Sequence, residues 1–172
     1  MSRAQEFLDY LDSPLAADFT LAPEAAMSYF AAKGLRTSFD WRDLIGADHV
    51  ASFTVAKMMD TDLLADVHDS LLEAMATGKP FRQWADEITP VLQAKGWWGR
   101  KAVTDPLTGR TIVAQLGSPG RLQTIYRTNM QTAYAAGAWA QMQEQAENAP
   151  FLLYDAIDDH RTRPEHAAWD GQ

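Results

Sequence analysis

Hydrophobic positions along most of this chain recur at steps of three and four. Leu63, Leu64, Val67, Leu71, Leu72 and Met75 follow this period, as do Phe81, Trp84, Ala85, Ile88, Val91 and Leu92. That is the spacing of a helix with one buried side. Asp60 or Thr61 can cap the first of these helices, and Gly78 stops it. Pro80 stands where a first helical turn tolerates proline, Gly96 closes the second helix, and Pro90 inside it predicts a kink or a break. Upstream, the pattern predicts a short helix from Arg3 to Leu11 that ends before Ser13-Pro14. A second helix opens at Pro23 and runs through Phe30 with Gly34 just past its end. Phe39 and Trp41 lie in a connector, and a third helix covers Asp48 to Met59.

Residues 97–117 break the helical period. Val103 precedes a Pro106-Leu107-Thr108-Gly109 turn, and Ile112 and Val113 follow it, so a β-hairpin arm or an ordered loop is expected. In a strand-like segment Trp97 and Trp98 point to opposite faces, one into the core and one free to anchor a partner. From Ser118-Pro119 a long helix is expected to about Glu147, with Leu122, Ile125, Tyr126, Met130, Ala133, Tyr134 and Ala138 on its apolar face. The small run Ala135-Ala136-Gly137-Ala138 lets another helix approach closely. After Pro150, Phe151 to Tyr154 reads as a strand leading into a charged turn. The expected fold is mainly α: a helical body with a β-hairpin-like arm, one long helix and a small β-containing C-terminal segment. Its expected divisions are 1–96, 97–118 and 119–172.

The 172 residues are 47% hydrophobic, enough for a core, and no apolar run approaches a membrane span. The start lacks the pattern of a secretory signal, and there is no cysteine, which leaves neither disulfides nor thiolate zinc sites. A soluble protein made in a cytoplasm is expected. Net charge is −8, but it is uneven. Residues 1–94 hold 7 basic and 15 acidic side chains, and residues 95–172 hold 8 of each. Lys95, Arg100, Lys101, Arg110, Arg121 and Arg127 face only Asp105 in their stretch, a strip suited to an acidic partner or DNA, or to a solvated connector. Candidate partner contacts are therefore Trp97, Trp98, Arg100, Lys101 and Arg110.

No phosphate-binding glycine loop, nucleophile elbow or paired-histidine zinc motif occurs. The densest chemistry is Asp155, Asp158, Asp159, His160, Glu165, His166 and Asp170. Such a set could hold a divalent ion in a nuclease or hydrolase. It is better read as a structural turn in which Asp159 pairs with Arg161 or Arg163, since a catalytic site draws groups from several elements. Arg127 reads either as a partner or phosphate contact or as a tie to the aspartates at 155–159. His49 and His68 have no matching ligand nearby in the pattern.

Two stretches carry a resemblance. One is PEAAMSYFAAKGL, HVASFTVAKMMDTDLLADVHDSLLEAMATGKPF and AKGWWGR; the other is YRTNMQTAYAAGAWAQM followed by YDAIDDHRTRPEHAAWDG. Together they resemble the Mu F-like minor head proteins, the phage head morphogenesis family. The matching positions are Arg127, Thr128, Asn129, Tyr134, Asp159, Arg161, Thr162, Arg163, His166 and Gly171. The resemblance implies a non-enzymatic virion component that acts in head assembly in the host cytoplasm. It implies association with the portal protein or the major capsid protein, packaged DNA as a further candidate partner, no membrane and no cofactor. It also implies further polypeptide after the glycine, ending in a cysteine-arginine-cysteine motif, so no complete metal site is expected within these residues.

Overall fold

The computed structural model describes residues 24–44, 46–148, 150–151, 153–157 and 159–171. The expected helix at Arg3–Leu11 and the start at Pro23 lie outside them. The chain divides into two compact units, 1–138 and 139–172.

The first unit is built on helices. Helix α1, Glu24–Ala31, buries Ala26 and Phe30. Strand β1 (Gly34–Leu35) leads to a short 3-10 turn, Trp41–Asp43, capped by the Asp40 carboxylate. Helix α2 is only Ala47–Ala51, and strand β2, Ser52–Phe53, follows it at once and pairs in parallel with β1. The helix expected over Asp48–Met59 is thus cut to its first turn and a half. The reason lies in the residues after Ala51. Phe53 and Val55 are buried while Ser52 and Thr54 are less so, which is a strand's period of two. Lys57 then takes a left-handed turn at φ 65°, which no helix continues through.

Helix α3, Thr61–Thr77, starts as its sequence predicts, with the Asp60 carboxylate accepting the Leu63 N–H at 3.0 Å. It stops at Gly78, whose φ of 64° allows its N–H to turn back toward Ala74 and Met75. Helix α4, Phe81–Ala94, runs through Pro90 without a break. Pro90 and Asp86 are both exposed, so the carbonyl that proline leaves without a donor faces water. Between these helices Lys79 hydrogen-bonds Glu87 at 2.6 Å and Glu73 at 3.2 Å, which holds its ammonium above the ordinary lysine pKa. The Trp84 indole donates to Ser70 Oγ at 3.0 Å. His68 is buried against Phe30, and its two ring nitrogens meet the Phe30 carbonyl and the Asp69 carboxylate.

Strands β3 (Arg100–Thr104) and β4 (Thr111–Gln115) form the expected antiparallel hairpin, with Arg100 opposite Gln115 and Thr104 opposite Thr111. Asp105 fastens its turn by accepting from the Leu107 N–H and the Thr108 hydroxyl. Helix α5, Pro119–Glu144, follows. At about 1.5 Å per residue it is roughly 39 Å long. Its buried stripe is Leu122, Ile125, Met130, Ala133 and Gly137. Tyr134 and Ala138, expected on that face, are exposed, because the stripe advances in steps of four from Ile125 to Gly137 and leaves them about 100° round the helix. The small run does admit a neighbour: a Cβ placed on Gly137 would lie 2.8 Å from the Ala26 backbone nitrogen of α1.

The second unit holds the end of α5 and one short helix, α6, Pro164–Trp169, none of whose residues is buried. The strand expected over Phe151–Tyr154 is not formed among the described residues, and Phe151 is 89% exposed. A lone extended run needs a neighbouring strand to take its backbone groups, and this unit supplies none among its described residues.

The α1–α5 crossing can be checked directly. Gly137→Ala should destabilise the protein by about 1–3 kcal/mol, because the clash outweighs the helical preference for alanine. Gly120→Ala, where an added methyl meets nothing within 4 Å, should be neutral or stabilising. Thermal unfolding followed by circular dichroism separates the two.

Candidate functional site

The hairpin is anchored at its base by the first unit's core. Trp97 is buried and its indole donates to the Lys57 carbonyl at 2.9 Å. Arg121, in the first turn of α5, lays its guanidinium over the Trp97 ring at 4.8 Å. From there it donates to Gln115 O at 2.7 Å, Leu116 O at 3.3 Å and Ala56 O at 2.7 Å. A planar fork with several donors suits this arrangement, and an ammonium does not. Burial lowers the arginine pKa from its ordinary value, yet the group keeps its charge at physiological pH. Composition counts Arg121 as one more surface cation. Its role as a clamp needed the positions of three separate carbonyls, and no local signal carries that.

Trp98 lies just before β3, where strand alternation does not yet apply. It is half-buried, packed on the core's edge and against Gly117, where a Cβ would meet its ring at 2.3 Å. Arg100, Lys101 and Arg110 are exposed. Of the five residues singled out as partner contacts, Trp97 is therefore a core residue, and the four others leave accessible surface. The acid of the stretch, Asp105, is turned into its own loop, and its hydrogen bonds hold its pKa below the usual carboxylate value.

The residues that carry the family likeness fall into two places. Arg127, Thr128 and Asn129 lie on α5. The Asn129 amide donates to Ile125 O at 2.8 Å, and Thr128 and Asn129 line a shallow groove with Arg121, Thr124 and the Thr54–Ala56 loop. Arg127 is exposed, and Tyr134 is largely so. Asp159, Arg161, Thr162, Arg163, His166 and Gly171 lie in the second unit, where most of them close a loop. The Asp159 carboxylate accepts the Arg161 N–H at 2.8 Å, and its other oxygen pairs with the exposed Arg161 guanidinium at 3.5 Å. The Thr162 hydroxyl donates to Ile157 O. His166 Nδ1 meets the Tyr154 hydroxyl at 2.5 Å, and the two rings pack with Trp169. Gly171, at φ 76°, donates its N–H to Tyr154 O at 2.8 Å, while Asp170 accepts from Ala156 N. Arg163 precedes α6 and makes no side-chain cap. Tyr154 is a closing partner that the sequence reading did not place in the site, whereas Asp170, named there with the acidic cluster, closes the loop through a backbone N–H.

Among the described residues no three acidic or histidine side chains converge in a way that could hold a metal ion. Asp158 is outside that description.

The sequence model of the family described as Phage Mu protein F like protein matches residues 65–172. The chain belongs to this family. Protein F of Escherichia phage Mu, whose name assigns it to capsid assembly, is 40% identical over 147 residues, covering 86% of this chain and 33% of that protein. The Mu-like prophage FluMu F protein of Haemophilus influenzae is 35% identical over 138 residues, covering 80% of this chain and 32% of its own length. The chain thus spans about a third of the length of these relatives. No solved structure matches it.

The clamp predicts an asymmetry between two arginines on the same helix. Arg121→Lys should cost about 2 kcal/mol, because an ammonium cannot lie flat on Trp97 and reach carbonyls on both sides. Arg127→Ala should stay within about 0.5 kcal/mol, as expected of an exposed side chain. Urea unfolding midpoints give both values.

Proposed function

We propose that this chain belongs to a phage head morphogenesis protein, a structural component of the virion that assembles in the host cytoplasm and works by contact and not by catalysis. The observation that carries the reading is the family match over residues 65–172, together with a Mu relative named for capsid assembly. Its partners on this reading are the portal protein, the major capsid protein or both, with packaged DNA as a further surface to touch. No helix of the described residues is long and apolar enough to cross a membrane.

Within that role the hairpin is the contact element. Its base is rigid, since Trp97 and Arg121 fix it, while the tip carries exposed Leu107 and Arg110. A two-stranded ribbon gains little stability alone and gains order by docking. The second unit's closed loop is a scaffold on this reading. Its Asp159 and Asp170 carboxylates accept backbone N–H groups, and His166 meets the Tyr154 hydroxyl, so these three side chains brace the loop.

Two measurements test this. Replacing residues 103–112 by Asn-Gly joins Ala102 to Val113 through a tight turn and keeps the hairpin's base. The shortened protein should keep its thermal stability to within about 1.5 kcal/mol, since only half-buried Val103 and Ile112 leave the packing, yet fail to enter particles in an infected host. Normal incorporation would remove the arm from the assembly role. Secondly, purified protein incubated with single- and double-stranded DNA and magnesium, manganese or zinc should cleave neither. Cleavage that disappears in Asp159→Ala would overturn the non-enzymatic reading.

A further inference from the structure

Two surfaces of this chain are complementary in charge. The first is a groove between α3 and α4. Its floor is Trp84, Ile88 and Val91, and its rim is Asp66, Asp69 and Glu73 from α3 with Glu87 from α4. Val91 is 37% exposed at its mouth. Asp62, one turn before Asp66, extends the same acidic edge, since residues four apart share a helix face. Lys79 closes one end and is already held by Glu73 and Glu87, and Lys95 reaches Asp66 at 3.4 Å. The second surface is the hairpin. Arg100, Lys101 and Arg110 are exposed, and among the described residues none has a carboxylate within 4 Å. Val113, 63% exposed, stands on the outward face beside Ala102.

We infer that the hairpin of one copy docks into the α3–α4 groove of a second copy, so that copies of this protein join head to tail. The inference rests on the reading of the hairpin as a contact element and names its partner. Charge complementarity chooses the occupant. The ribbon carries its cations on different sides: Arg100 is on the outward face with Ala102 and Thr104, Lys101 on the opposite face, and Arg110 at the turn. Arg100 near the base and Arg110 at the turn stand at either end of the exposed Ala102–Val113 pair, which suits an acid-rimmed groove with an apolar floor, while Lys101 lies on the other face. The three cations do not form the continuous positive track that a DNA duplex takes, and the strongly acidic first 94 residues would repel a duplex as it approached. Because the two surfaces are different patches, the contact is heterologous and each copy keeps one free arm and one free groove.

Charge reversal tests this with the full 172-residue chain. One variant carries Arg100→Glu, Lys101→Glu and Arg110→Glu; the other carries Asp62→Lys, Asp66→Lys and Asp69→Lys. All six positions are exposed, and circular dichroism confirms that the fold persists. In sedimentation experiments the unaltered protein should self-associate at about 50 mM salt and at least about ten-fold more weakly at about 500 mM salt. Each variant alone should stay monomeric, and an equimolar mixture should associate again. An unaltered protein that is monomeric at low salt overturns the inference, as does association of either variant alone or a mixture that stays monomeric. So does an arm variant that self-associates like the parent but no longer retains a DNA duplex, which would give the arm to nucleic acid. Particle incorporation of the shortened arm is a separate readout, so the contact-element reading can stand or fall independently.

Discussion

The turn at Ala56–Lys57 holds the first unit together. Three separate segments take hold of it. The Lys57 N–H donates to Ser38 O at 2.8 Å and its ammonium reaches Phe39 O, so the connector after β1 is bound to it. Trp97 donates to the Lys57 carbonyl, which fixes the exit of α4. Arg121 grips Ala56 O, which fixes the start of α5. Lys57 sits at a positive φ that costs a non-glycine residue about 1 kcal/mol or more, and this concentration of bonds is what holds it there. The hairpin leaves the body between Trp97 and Arg121, so its direction is set by the same knot.

The arrangement separates rigidity from exposure. At the hairpin's base Trp97, Leu116 and Ala114 are buried, and Gly117 allows Trp98 and the Trp97 carbonyl to approach closer than any side chain would permit. Toward the tip every residue from Pro106 to Thr111 is exposed. On the proposed reading of the hairpin as a contact element, the base fixes the direction of approach and only the tip is left to order on docking. The second unit follows another logic. Its closed loop from Tyr154 to Gly171 is held by hydrogen bonds and three packed rings, and α6 buries none of its residues.

Much of the fold was legible where local physics decides it. The Asp60 cap, the Gly78 stop, the three-and-four spacing of α3 and α4, the Pro106–Gly109 turn and the small run near Gly137 all act through near neighbours or through one repeated face. What was hidden depends on distant partners. Val50 to Lys57 has an amphipathic helical spacing, yet the parallel partner at Gly34–Leu35 draws Ser52 and Phe53 into a strand. Phe151 to Tyr154 looks like a strand and finds no strand to pair with among the described residues. In the candidate site, the likeness to a family pointed to residues on α5 and in the second unit's loop, and the burial of Trp97 follows from its contacts with Lys57 and Arg121. The clamp by Arg121 was invisible because its carbonyl acceptors lie as far as 65 positions away.

That distance also orders the events of folding. The pairing of α3 with α4 is local and closes within a few dozen residues, whereas the bonds onto Ala56 and Lys57 span 65 and 40 positions. Long loops close late, and contacts across them slow the rate-limiting step. On the ribosome, then, the helical pair leaves the exit tunnel ahead of Arg121, and the hairpin emerges onto a body that cannot yet fix its direction. If the arm docks as proposed, its direction is set only once the start of the long helix has left the exit tunnel, which delays any premature encounter between nascent chains.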